Sequence, residues 1–141
     1  MVQDWEKSAD KFKEIGSRVI QMRISLLLNK NYGFLKYNLL SMNMGVGVIF
    51  ISGKNTVNWI HIEDAARFIL ESIKNKNYQG AYNLADGNNM NQRRFINIIK
   101  DKISPYAIIV KIPHLFINLI LGERSAMINN KTSINIDKLT K

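Results

Sequence analysis

Few residues in this chain have the types and spacings that chemistry needs. Tyr32 and Lys36 stand four positions apart. An ammonium so placed can lower a phenol's pKa and let it move a proton. Two common residue types across a short gap are a weak signal, and chance is the better account. His61 lies between Ile60 and Ile62 in an extended-looking run, which puts it on the face of Trp59 and opposite both isoleucines. It could meet a substrate, but the stronger reading is a structural histidine hydrogen-bonded where the next helix starts, near Asp64. Trp59 could stack on a ligand, although packing is the commoner use of an indole. Asp64 reads as a first-turn carboxylate satisfying helix amides rather than as a catalytic acid. Arg23 falls near the end of a strand, where ligands of open α/β sheets bind. It is the best single candidate for touching a phosphate or a cofactor.

Composition narrows the chemistry further. The 141 residues contain no cysteine, which excludes disulfides, thiolate metal sites and cysteine nucleophiles. Two histidines, His61 and His114, leave little for a histidine-based metal site. Hydrophobic residues make up 46% of the chain, too many for a disordered tail. The formal charge is +9, but the lysines are scattered and no aromatic-basic module gathers them. A solvated lysine-rich surface therefore ranks above a nucleic-acid site. The start of the chain lacks the basic-then-apolar order of a signal peptide. The longest apolar stretch, Ala107 to Leu121, is interrupted by Lys111, Pro113 and His114 and is shorter than the ~20 residues of a spanning helix. The expectation is a cytoplasmic setting with no membrane.

The elements that must position these residues alternate between helix and strand. The spacing predicts a helix over Asp4 to Ile15 stopped by Gly16, then a strand over Arg18 to Ser25. Phe34 to Met42 reads as a helix. Val46 to Ser52 reads as a strand, followed by a turn at Gly53 and a second strand over Thr56 to Ile62. Glu63 to Asn75 is the clearest helix, with Ala66, Ile69, Leu70 and Ile73 as its apolar stripe. A strand over Ala81 to Ala85 runs into the turn signal Asp86-Gly87-Asn88-Asn89. A helix over Asn91 to Ile103 should face Phe95, Ile99 and Ile103 inward. Ile108 to Ile112 is a strand, and Pro113 opens a helix to Leu121 with Gly122 as its stop. Helix–turn–strand order implies a parallel sheet. The polar tail from Asn129 gives no pattern.

The most specific segment, Ser52 to Leu70, reads SGKNTVNWIHIEDAARFIL. It resembles the G-S-G-x-Q … W-I-H-I-x-D segment of epimerase-family proteins in the extended short-chain dehydrogenase/reductase superfamily. More narrowly, it resembles the atypical subgroup that carries a short C-terminal domain of unknown function. DWEKSA (4–9), GSRVIQMRISLLL (16–28), QGAYNLA (79–85) and LGERSAMI (121–128) agree and come in the expected order. Five ordered landmarks cover nearly the whole chain.

The resemblance implies an α/β fold: a partial Rossmann-like parallel sheet plus a smaller α+β substrate-binding and C-terminal region. Residues 1–85 would be the remainder of the Rossmann-like domain with its substrate-side insertion, and 86–141 a truncated C-terminal domain. It implies the substrate-side half of an NAD(P)-dependent nucleoside-diphosphate-sugar epimerase/dehydratase-type oxidoreductase, with a non-catalytic remnant or binding module of the same half-fold as the alternative. Such proteins begin with a strand and a G-x-x-G-x-x-G turn that holds the cofactor pyrophosphate. That turn does not occur here, where Gly45 and Gly47 are the close glycine pair. The expectation is therefore that NAD or NADP, implied by the resemblance, does not bind to this chain alone. A separate N-terminal half or self-association would complete it. The resemblance also implies a nucleotide-sugar-like small molecule as substrate, Trp59 and His61 on the substrate side, and Arg23 at the cofactor. The superfamily's Tyr-x-x-x-Lys pair precedes the strand that holds Arg23, whereas Tyr32 follows it, so no catalytic residue is assigned. Glycines are expected where Val48 and Ile51 stand, and their side chains would narrow a loop that must approach a ligand.

Overall fold

The computed structural model describes residues 2–50, 53–88, 90–113 and 133–139. Helix α1 (Val2–Asp10) tightens into a 3-10 turn over Lys11–Ile15. Gly16 ends it in the left-handed region at φ 79°, a conformation glycine adopts without a Cβ clash. Strand β1 (Ile20–Ile24) follows and pairs in parallel with β6 (Gly80–Leu84), with Ile20 opposite Gly80 and Ile24 opposite Leu84. Between them run β2 (Leu26–Leu28), α2 (Gly33–Asn43), β3 (Val46–Phe50), β4 (Thr56–Val57), β5 (Trp59–His61) and α3 (Ile62–Lys74). After β6 come β7 (Met90–Asn91), α4 (Gln92–Ile103) and β8 (Ile108–Ile112). The pairs β2–β5 and β3–β8 are also parallel, while β4–β7 is antiparallel. This is the α/β architecture with parallel pairing that the helix–strand alternation predicts.

Two apolar clusters hold these pairs together. In the first, Leu28, Met42, Ile49, Phe95, Ile96 and Ile99 join α2, β3 and α4. In the second, Ile60, Ala65, Phe68, Tyr82 and Leu84 join β5, α3 and β6. Arg18 ties the end of α3 to the sheet by donating to the carbonyls of Ser72 at 2.6 Å and Tyr78 at 2.9 Å. Carbonyls in a last helical turn have no partner within the helix, and the guanidinium supplies one. The segment 133–139, which had no pattern in sequence, lies along β6. Asn83 donates to the Asn135 carbonyl at 2.8 Å, and the Lys138 ammonium donates to Gln79 O at 2.7 Å and sits over the Tyr82 ring.

Four features differ from the sequence expectations. The buried face of α3 is Ala65, Phe68 and Ser72, and the stripe of Ala66, Ile69, Leu70 and Ile73 faces out, with Leu70 58% exposed. Both faces satisfy helical periodicity. The choice is made by the ring cluster of Phe68, Tyr78 and Tyr82, with centroids 5.2–5.5 Å apart, and by the Ser72 hydroxyl, which donates to Ile69 O. On α4, Ile96 is fully buried, whereas Ile103 in the last turn is exposed. The expected strand over Thr56 to Ile62 is two short strands divided at Asn58, whose carbonyl accepts from Leu26 N at 3.1 Å, and Ile62 already belongs to α3. Val48 sits within β3 opposite Val110 rather than in a loop, and Ile51 lies outside the described residues. The helix expected from Pro113 to Leu121, Gly122, His114 and the 121–128 landmark also lie outside them, apart from Pro113 itself.

The face assignments predict opposite mutational costs. Ile96→Ala should lower unfolding free energy by about 2–5 kcal/mol, the usual cost of truncating a fully buried aliphatic side chain. Leu70→Ser should change it by no more than roughly 0.5 kcal/mol. Urea unfolding of both variants checks the pair, and a large loss in the serine variant would reverse the face of α3.

Candidate functional site

Strand alternation gives β1 two unlike faces. Ile20, Met22 and Ile24 share a side with Tyr82 and Leu84, while Gln21 and Arg23 share the other with Asn83. The second side meets α1. The Arg23 guanidinium donates twice to the Glu6 carboxylate, at 2.6 Å and 2.7 Å, a two-point fork. The Gln21 carboxamide donates to Glu6 O and to Asp10 Oδ1, both at 3.0 Å. The Arg23 hydrogen bond holds Glu6 below its ordinary carboxylate pKa, and the same bond raises Arg23.

A cleft of about 680 Å³ opens beside this lock, with Trp5, Glu6, Arg23, Ser25 and Asn135 on its walls. A second cleft of about 690 Å³ meets the first at Ile24, Ser25 and Ile134. It is walled by Phe34 and Phe50 and by the polar side chains of Asn55, Thr56, Asn58 and Gln92. Both volumes fall in the range of small-molecule pockets, ~300–1,000 Å³. They meet at the C-terminal end of β1, where ligands of parallel sheets bind.

The other sequence candidates sit elsewhere. His61 is exposed and caps α3, with Nδ1 accepting from Glu63 N at 3.3 Å, which matches the structural reading of that histidine. Asp64 instead pairs with Arg67 at 3.2 Å. Trp59 packs against the first cluster, and its indole N–H is buried with no acceptor among the described residues. Tyr32 stands at the N-cap of α2 in extended backbone, 72% exposed, with Lys36 also exposed on the first turn. Sequence reasoning missed Glu6 as the partner of Arg23, and missed Gln21, Asn55 and Gln92. The available signal was the polar alternation of β1 opposite the acidic positions of α1. Among the described residues no three His, Asp or Glu side chains cluster as metal ligands, and no helix is long and apolar enough to cross a membrane.

No protein-family profile matches the chain. An epimerase family protein of Staphylococcus epidermidis is 31% identical over 140 residues, covering 99% of this chain and 46% of that protein. The epimerase family protein YfhF of Bacillus subtilis is 28% identical over 125 residues. The chain thus spans about half the length of the curated relatives it matches. Among solved structures, the human epimerase family protein with NADPH superposes with TM-score 0.74 at 22% identity, over 82% of this chain and 40% of that one. UDP-N-acetylglucosamine 4-epimerase of Methanobrevibacter ruminantium, in complex with UDP-N-acetylmuramic acid, gives 0.71 at 23% identity over 97% and 43%. UDP-glucose 4-epimerase of Thermotoga maritima with UDP-glucose gives 0.73 at 16% identity over 96% and 43%. The chain has the fold of part of the Rossmann-like epimerases.

The Glu6–Arg23 lock predicts a pH signature. A depressed folded-state pKa contributes stability above the unfolded value, and the contribution is lost as pH falls through the folded value. Glu6→Gln should therefore unfold at lower urea than the parent near neutral pH, and the two midpoints should converge well below the ordinary glutamate pKa of about 4.3. Midpoints that differ equally at both pH values would show that the carboxylate charge contributes nothing.

Proposed function

We propose that this chain is the substrate-side part of an NAD(P)-dependent epimerase/dehydratase-type protein acting on a nucleotide-sugar-like small molecule. The observation that carries the reading is the 31% identity to an epimerase family protein across 99% of the chain. The two clefts joined at the end of β1 are consistent with it, since the chain offers open, partly polar space where that fold binds ligands. Arg23 lies near the end of β1 in the wall of the first cleft and is the candidate there for a phosphate or a cofactor. Trp59 and His61 lie on β5, apart from the described lining of both clefts, and are assigned to the substrate side by the resemblance.

The residues present do not fit a dinucleotide. The sequence has no G-x-x-G-x-x-G turn, and the two guanidinium nitrogens that Arg23 turns toward α1 are already engaged by Glu6. An α/β unit that carries the phosphate-binding turn, on the same polypeptide or on a partner, would supply the nicotinamide cofactor's site. Such a unit would also find a surface to cover. β1 pairs with β6 alone among the described strands, and Met22, Ile24, Ile69 and Ile73 are exposed. An open strand edge beside apolar side chains is a pairing surface.

The 141-residue chain should show no NADPH or NADH binding in the low-micromolar range by fluorescence titration, because the amides that hold a pyrophosphate are absent from it. Mixed with a separately expressed glycine-rich half from an epimerase family protein, it should form a complex that binds the cofactor. In any complex that turns over, Tyr32→Phe should leave the turnover number nearly unchanged, whereas loss of a general acid–base would cost ~10²–10⁴-fold. Tight binding by the chain alone would refute the assignment. A complex that binds cofactor but turns over nothing would favour a binding module of the same half-fold.

A further inference from the structure

Strand β6 has two edges, and they are met differently. Gly80 N donates to Val19 O and Leu84 O accepts from Ser25 N, so these groups face β1. Backbone groups alternate in direction along a strand, which turns the Ala81 carbonyl to the outer edge. That edge has no strand partner among the described residues. An edge of this kind is a template for another strand. The run Gln79 to Ala85 does nothing to discourage one, since it contains no lysine, arginine, aspartate, glutamate or proline. Natural sheets blunt such edges with a lysine or cover them with a loop, and here both devices come from elsewhere in the chain.

The loop is 133–139 and the lysine is Lys138. Its ammonium donates to Ala81 O at 3.1 Å and to Gln79 O at 2.7 Å, and lies 4.0 Å from the centroid of the Tyr82 ring. One cation, 57 positions beyond Ala81, thus takes up two carbonyls at the outer side of β6. Three further contacts seat the segment. Asn83 Nδ2 donates to Asn135 O at 2.8 Å, Ile136 lies against Gly87, and Leu139 packs on the second apolar cluster. The Leu139 amide donates to Ile136 O at 2.7 Å, and the Asp137 amide to Asn135 Oδ1 at 2.8 Å. The segment is therefore turned back on itself and offers no extended edge of its own for the next strand.

We propose that 133–139 is an intramolecular plug on the outer edge of β6, that Lys138 is its clamp, and that the occupant it excludes is the β6 edge of a second copy of this chain. A strand edge is its own complement in antiparallel pairing, because each residue there offers one donor and one acceptor. The run from Gln79 to Ala85 carries no charge to oppose that pairing, so the plug is the barrier to it. The edge concerned lies away from β1 and from the open β1 edge, so the plug stands independently of the cofactor and substrate readings.

Hydrogen exchange read by mass spectrometry, with sedimentation velocity, would test it on the full chain across a wide range of concentration. Lys138→Ala should speed exchange in 133–139 by about tenfold, the effect of losing a solvent-screened bond from a charged donor. In dilute solution 79–85 should exchange faster as well. In concentrated solution 79–85 should become protected again as copies pair, 133–139 should stay open, and the variant should sediment as larger species than the parent. Lys138→Arg keeps the charge and the donors and should match the parent. Lys102→Ala removes the same charge from the exposed last turn of α4 and should match it too. Unchanged exchange in Lys138→Ala would overturn the proposal, as would opening of 133–139 with no renewed protection of 79–85. Equal association of Lys102→Ala would make net charge the cause, and faster exchange throughout α4 would make it general loosening; either result would also overturn the plug.

Discussion

The parallel pairing of β1 with β6 is the constraint on which the rest depends. It joins residues about sixty positions apart and gives the sheet two faces of opposite character. On one, Tyr82 and Leu84 meet Ile60, Ala65 and Phe68 in a dry cluster. On the other, Gln21 and Arg23 reach α1 through four hydrogen bonds to Glu6 and Asp10. A one-residue slip in β1 would carry Arg23 into the Tyr82–Leu84 side and Met22 out to Glu6, burying a charge without its partner. The register is thus fixed by polar and apolar demands together, and it brings Ser25 to the junction of the two clefts. The Ser25 hydroxyl and amide both donate to Leu84 O, at 2.7 Å and 3.0 Å, which closes that end of the pair.

The first apolar cluster, of α2, β3 and α4, meets this sheet through short connections rather than a shared strand. Leu26 N donates to Asn58 O, and Asp86 N donates to Trp59 O at 2.7 Å, so β2 and β5 bridge from the β1–β6 pair to the α2–α4 pair. Two glycines permit the close approach on the far side. A Cβ at Gly47 would lie 3.1 Å from Met42 Cε and 3.2 Å from Ile96 Cγ2. Gly53, at φ 68°, leaves space that Ile49 Cγ2 would otherwise contest at 2.6 Å. Gly47 of the close glycine pair is therefore a packing device beneath α2 and α4, and Gly45 turns the chain after α2 at φ 82°, both different uses from holding a phosphate.

Much of the fold was legible because helix–strand alternation is written in short-range patterns. The strand at Arg23, the helix stop at Gly16 and the turn at Gly87 are all local. What was not legible depended on contacts remote in sequence. Nothing near α3 states that Phe68 will join Tyr78 and Tyr82, so its stripe of Ile69, Leu70 and Ile73 reads as the core although it faces out. Asn58 breaks a run of strand formers because it serves β2, more than thirty positions upstream. The same limit applies to the clefts. Arg23 could be picked out from strand position alone, but its partner Glu6 could not, because the pairing depends on how α1 lies across β1. Asn55 and Gln92 carried no signal, since a carboxamide becomes distinctive only when burial leaves it few partners.

The outward stripe on α3 has a physical consequence that ties these points together. Ile69, Leu70 and Ile73 are exposed on α3, and Met22 and Ile24 are exposed on β1, one edge of which has no partner among the described strands. Single exposed aliphatic residues are ordinary on a protein surface, but a group of them next to an open edge is a surface built to be covered. On α3 the apolar positions form one broad arc, with Glu63, Asp64, Arg67, Glu71 and Lys74 on the opposite side. The core takes one side of that arc, Ala65, Phe68 and Ser72, because the rings of Tyr78 and Tyr82 meet Phe68 there, and Ile69, Leu70 and Ile73 are left exposed.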